Sequence, residues 1–262
     1  MGSATTHALA TTTAQLSAAK VGDLSVAREL FSAARQIADS AQLSGALSAW
    51  GAPAEARAQV ARTVFAGYGA VSVQLLTSAV AERWSSTEDL ISGIEELAIR
   101  AAAIGAPSTD VEGQLFEVAR LVAANPELEL ALGSRLGDAA AKGVLIEKLL
   151  VGRADEATVL ITSQLVQQPR ERRVRSLLHR ALQLVADQRG KKVATVRVAS
   201  GLDAAQQDRL AAALSARYDA DVTVNVVVDP QVLGGMRVEI GDDVIDGTVS
   251  SRINDLRQRL AG

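Results

Sequence analysis

Three carboxylates, Asp242, Asp243 and Asp246, lie close together late in the chain and could chelate a hard cation. Their spacing is not that of a calcium loop, and Val244 and Ile245 between the last two are apolar, so they read as solvated turn carboxylates. A second cluster, "RERRVRSLLHR" (170 to 180), is basic, but its arginines interleave with apolar residues, which suits the solvated face of a helix that could meet an acidic protein surface. Only two histidines exist, His7 and His179, and there is no cysteine. Thiolate chemistry and disulfides are therefore excluded, and a histidine metal centre or a Ser-His-Asp relay would have to be built from very little. Glycine pairs occur, yet neither G-x-x-x-x-G-K-[ST] nor G-x-G-x-x-G precedes a helix, so phosphate binding is not indicated. No catalytic residue, cofactor site or metal site is expected.

Composition points the same way. Of 262 residues 48% are apolar, 22% charged and 3% aromatic, with a net charge of -3. That is a soluble, folding chain without the cationic footprint or stacking platforms of a nucleic-acid binder. The segment 63 to 81 runs 19 residues without a charge, but Gly67-Tyr68-Gly69 interrupts it, so it reads as two core helices and a turn rather than a membrane span. The first twenty residues lack the basic start and apolar stretch of a secretory signal. They match M-G-x-x-x-[ST], a pattern met often by chance.

The chain repeats itself at an offset of 85 residues: "LFSAAR" (30 to 35) overlays "LFEVAR" (115 to 120), Leu43 falls on Leu128, Arg57 on Lys142, and Gly67 on Gly152. Past Trp84 a shift of two more residues places Leu90-Ile91 on Leu177-Leu178 and Leu97 on Leu184. Each copy reads as helices. Leu115, Ala119 and Val122 share one helical face, and Asn125-Pro126-Glu127 opens the next helix. Gly152 ends another, Asp155 caps its successor, and Pro169 stops that one. Val174, Leu177, Leu178, Ala181, Leu184 and Val185 then form one apolar stripe.

Near Gly190 the period changes to two. Val196 and Val198, then Val222, Val224, Val226 and Val228, predict strands, and Asp203 with Gln206 predicts a capping box on the helix between them. Met236, Val238 and Ile240 begin a hairpin that turns at Gly241-Asp242, and a last helix carries Val249, Ile253, Leu256 and Leu260. Pro230 blocks further pairing while Gly234-Gly235 open backbone angles closed to other residues. The expected fold is α+β: a leader (1–23), two helical-bundle copies (24–104 and 105–190), and a small C-terminal α/β domain (191–262) with a short mixed sheet and hairpin.

The run Val222, Val224, Val228, Asp229, Val232, Gly234, Gly235, Met236, Val238, Glu239 and Gly241, followed by "GDDVIDGTVSSRINDL", resembles the C-terminal signature of the delta subunits of F-type ATP synthases, the OSCP/delta family. "LFEVARLVAANPEL" is similar to that family's N-terminal six-helix domain, and the doubling to the enlarged subunits of high-GC Gram-positive bacteria.

The resemblance implies a non-catalytic stator subunit of the peripheral stalk, without cofactor, peripheral to the cytoplasmic face of a bacterial membrane and touching the membrane only through its complex. It further implies that the first and fifth bundle helices hold the N-terminal helix of an alpha subunit, and that the C-terminal domain holds a b-type stalk. Carried onto this chain, the groove falls on Leu90, Ile94 and Leu97 and on Val174, Leu177, Leu178, Ala181 and Leu184. Asp229, Pro230, Gly234, Gly235, Gly241, Asp246 and Gly247 become turn positions of the signature. Two other readings stand beside this one: a helical adaptor unrelated to ATP synthase, and a metal enzyme using Asp242, Asp243 and Asp246.

Overall fold

The computed structural model describes residues 2–134, 137–170, 172–241 and 243–253. It divides into two compact units, Met1–Val185 and Ala186–Gly262.

Eleven helices are described in or from the first unit: α1 Ser3–Ala18, α2 Ser25–Asp39, α3 Ala41–Ser48, α4 Ala54–Val64, α5 Ala70–Ala81, α6 Thr87–Gly105, α7 Val111–Ala124, α8 Pro126–Gly133, α9 Ala139–Leu150, α10 Glu156–Gln167 and α11 Val174–Gln188. The repeat is visible in their bounds, since α3 and α8 begin and end 85 residues apart. Local chemistry sets the ends. Pro126 opens α8 at a position where its missing N–H costs nothing, and Gly152, at φ 68°, closes the turn after α9. The predicted caps Asn125 and Asp155 hold the N-cap positions without capping. Asn125 Nδ2 instead donates back to the Leu121 carbonyl, and the Asp155 carboxylate accepts from Gln114 Nε2 at 2.5 Å.

Residues 3–18, read from sequence as part of a leader, form α1, which packs on α5 and α6. Its inner face is Thr5, Ala8, Thr12 and Leu16. Those positions lie 85 residues ahead of Leu90, Gly93, Leu97 and Ala101, all buried on α6. Threonine can face a core here because its hydroxyl is satisfied locally: Thr12 Oγ1 donates to the Ala8 carbonyl at 2.8 Å, and Thr5 Oγ1 donates to Asp89 Oδ2 at 2.9 Å. In repeat terms α1 is the first helix of one copy and α6 the first of the next. The packing of α6 on α1, α2, α3 and α5 also makes it the last helix of the earlier copy. The copies thus overlap by one helix.

The second unit is a four-stranded mixed sheet in the order β2-β1-β3-β4. β1 Lys191–Val198 runs parallel to β2 Asp221–Val228 through the crossover helix α12 Ala204–Tyr218. β3 Met236–Ile240 pairs antiparallel with β1 and with β4 Asp243–Asp246. The capping box forms as the spacing predicts: Gln206 N–H donates to Asp203 Oδ1 at 2.7 Å, and Asp203 N–H to Gln206 Oε1 at 2.9 Å. Ala194, Val196, Val198, Leu214, Val222, Val238 and Ile240 form the core. Val228, expected to share the inner face of its strand, is 55% exposed at the strand end. Leu256 and Leu260 of the expected last helix lie outside the described residues; a helical segment begins at 249 and carries Val249 and Ile253, both partly exposed.

Candidate partner-binding surfaces

The eight residues expected to line a groove do not line an open one. Leu90, Ile94 and Leu97 on α6 and Val174, Leu177, Leu178 and Ala181 on α11 are each at most 2% exposed, and Leu184 is half-buried. From Leu90 to Ala103 only Ser92 escapes full burial. The physical reason is the overlap of the copies: a helix serving two bundles has an apolar stripe on one side and packed neighbours on the others. Counting helices also moves α11 to sixth place in its copy, with α10 fifth.

Burial of α6 includes charge, which must be paired to be tolerated. Glu96 accepts from Arg100 on its own helix at 2.9 Å and from Arg180 on α11 at 3.1 Å. Glu95 accepts from Arg172 at 3.1 Å and also from Arg170. Arg170 sits at φ 44°, and burial pushes its guanidinium below the usual arginine range while Glu95 opposes that. Arg175 reaches Glu129 on α8. Four arginines of the basic run are therefore ionic ties to α6 and α8, where the sequence suggested a solvated face. His179 is exposed beside Gln183.

The outer faces of the twin helices differ. On α1, Ala10, Ala14 and Ser17 are exposed; 85 residues on, Glu95, Ile99 and Ala102 of α6 are buried. Neither α1 nor its neighbour α5 contains an Asp, Glu, Lys or Arg. The α6/α10 pair is instead overlaid by α2, which packs along α6 and reaches α10 through Arg28 to Glu156 and Arg35 to Gln164, while Gln168, just past α10, donates to Asp39 at 3.0 Å. Between 5–18 and 90–103 only Ala18 and Ala103 are identical, so the kinship of the two helices shows in their coincident buried positions rather than in their residues.

In the second unit the signature residues interlock two loops. Asp229 N–H donates to the Val198 carbonyl at 2.8 Å, and its carboxylate accepts from Gln231 N–H at 2.9 Å, with Pro230 between them. Gly247 N–H donates to Met236 and Val249 N–H to Gly234. At Gly235, φ 77°, a Cβ would stand 2.3 Å from the Gly247 carbonyl oxygen, so only glycine fits. Gly234 and Gly241 also have positive φ, 144° and 57°. Asp246 accepts from Thr248 N–H at 3.0 Å and Oγ1 at 2.7 Å, and these bonds hold its carboxyl below the usual range. Beside them Arg197, Asp229, Arg237, Glu239 and Asp246 line a polar cleft of about 440 Å³.

Asp242 lies outside the described residues. Among the described residues no group of three or more His, Asp or Glu is disposed to hold a metal ion, and no helix is long and apolar enough to cross a membrane.

Residues 97–260 match the family model described as "ATP synthase delta (OSCP) subunit". The chain is 48% identical to ATP synthase subunit delta of Leifsonia xyli over the whole of both chains. It is 39% identical to the Nocardia farcinica subunit over 94% of each, and 36% identical to that of Streptomyces griseus over the whole of both. Among solved structures, a chain of the Toxoplasma gondii mitochondrial ATP synthase hexamer aligns with 64% of this chain and 97% of its own, at 17% identity and a TM-score of 0.41.

Proposed function

The chain belongs to the ATP synthase delta (OSCP) subunit family, and from that premise we propose that it is the non-catalytic stator link of its complex, gripping the N-terminal helix of an alpha subunit with its helical unit and a b-type stalk with its C-terminal α/β domain. It sits peripherally on the cytoplasmic face of the bacterial membrane. Its work is mechanical: a turning rotor drags the catalytic head unless a fixed element holds it. Holding each end at nanomolar strength requires about 12 kcal/mol, which an amphipathic helix with a few well-buried anchors can supply.

The observation that carries the partner assignment is the difference between the twin faces. First and fifth helices are α1 and α5 in one copy, α6 and α10 in the other. The second pair is overlaid by the chain's own α2, and the first presents an open, uncharged face. We therefore move the groove from α6 and α11 to α1 and α5. A charge placed there would be buried without a partner on binding, so the occupant's inner face must be apolar and neutral.

Calorimetric titration of the full chain with a peptide of the alpha-subunit N-terminus tests this. Binding is expected, with a loss of tenfold or more, about 1.4 kcal/mol, in Ala10→Glu and Ala14→Glu. No binding to the unmodified chain overturns the alpha assignment. Removal of the chain that leaves proton flow and phosphorylation fully linked overturns the stator role itself.

A further inference from the structure

A cleft of about 1070 Å³ lies between α8 and the start of α11, and the α1/α5 face does not involve it. Pro126, the buried Val174 and Leu130 line it, and Leu130 is 74% exposed although a large apolar side chain. Arg172, Arg173 and Arg175 converge on it, against one described carboxylate, Glu129. Glu129 is already bonded to Arg175, and Arg172 shares Glu95 with Arg170, so the lining carries a positive remainder. The N-terminus of α11 opens here too and adds the positive end of its dipole.

The other copy provides an internal control. Leu130 corresponds to Gly45, Glu129 to Ser44 and Gly133 to Ser48 at the offset of 85; Arg172, Arg173 and Arg175 correspond to Ser85, Ser86 and Glu88 at the shifted offset. There the two sides are joined, Ser48 Oγ lying 2.8 Å from Thr87 Oγ1. At these matched positions one copy thus has no arginine and no large apolar residue and the other has both. Bundle stability does not call for the change, because the first copy closes the gap with two small hydroxyls.

We infer that the α8/α11 cleft is a second docking site, which takes an acidic, amphipathic segment of a partner protein, its carboxylates on the arginines and an apolar side chain against Leu130. An exposed leucine beside guanidiniums favours such a segment over nucleic acid, which would want aromatic platforms that the cleft lacks. The inference goes beyond the stator reading and does not depend on the α1/α5 assignment.

The test uses the full chain assembled in its ATP synthase, with the photoreactive residue p-benzoylphenylalanine placed at Leu130 or, as control, at Gly45. Illumination is expected to join position 130 to an acidic stretch of another protein subunit and to leave position 45 unlinked at the matching surface. Adding Arg173→Glu, at an exposed site, is expected to cut that product about tenfold, and raising the salt concentration to reduce it further. Absence of a product from position 130, or a product with a basic segment, a phospholipid or a second copy of this chain, overturns the inference. So does a yield indifferent to Arg173→Glu. Loss of the chain from the complex in the unsubstituted control would instead refute the stator reading.

Discussion

Arg57 offers the sharpest test of how the helical unit is held. It is 6% exposed, yet its guanidinium donates Nε to the Val80 carbonyl at 2.8 Å, one terminal nitrogen to Ala52 at 2.6 Å and the other to Ala81 at 2.8 Å. Val80 and Ala81 are among the last carbonyls of α5, which have no partner within the helix, and Ala52 lies in the connection before α4. Arg57→Met keeps most of the stem and removes all donors. Three good charge-assisted bonds at about 1 to 1.5 kcal/mol net each give a loss of about 3 to 4.5 kcal/mol. Lys142, its repeat twin, donates to the Ser134 carbonyl through one ammonium, so Lys142→Met should cost only about 1 to 1.5 kcal/mol. Urea unfolding followed by tryptophan fluorescence suits the question, because Trp50 and Trp84 both belong to the helical unit. A loss below about 1 kcal/mol for Arg57→Met, or one no larger than for Lys142→Met, would refute the capping argument.

Two further outcomes concern the α/β unit. Gly235→Ala should cost about 2 kcal/mol or more, since φ 77° and the Gly247 carbonyl both oppose a Cβ; amide exchange at Val249, which bonds to Gly234, should accelerate most. Asp246 has a folded-state carboxyl held below the ordinary range, chiefly by Thr248 N–H. Its contribution is therefore complete above the ordinary carboxylate range and disappears as pH falls through the depressed value. Asp246→Asn should flatten the acid limb of the unit's stability curve, and an acid limb of unchanged slope would count against the Thr248 contacts.

What sequence made legible here was local chemistry. The capping box at Asp203 and Gln206, the proline opening α8 and the glycine closing the turn after α9 act over a few residues, and the chain shows them directly. The strand, helix, strand succession followed from the alternation of valines and the helix signals between them. The resemblance placed Leu90, Ile94 and Leu97 together on one helix face. It could not say that other helices of the same chain cover that face, because a partner-ready stripe and a core stripe have the same spacing. α1 was obscured for the opposite reason: threonines at two of its four buried positions lower the apolar signal that marks a core helix, and their hydroxyls are satisfied by contacts that composition does not reveal. The arginine run read as solvated because its carboxylate partners, Glu95, Glu96 and Glu129, stand tens of residues away in the chain.

The single helix shared by both copies makes them inseparable by cutting. A fragment starting at residue 105 would lack the central strut on which α10 rests, and one ending near 86 would strip α2 of its main contact. Nineteen residues of unbroken helix, about 28 Å at 1.5 Å per residue, are common property of the two halves. A pull applied to either half therefore enters a helix that both halves hold.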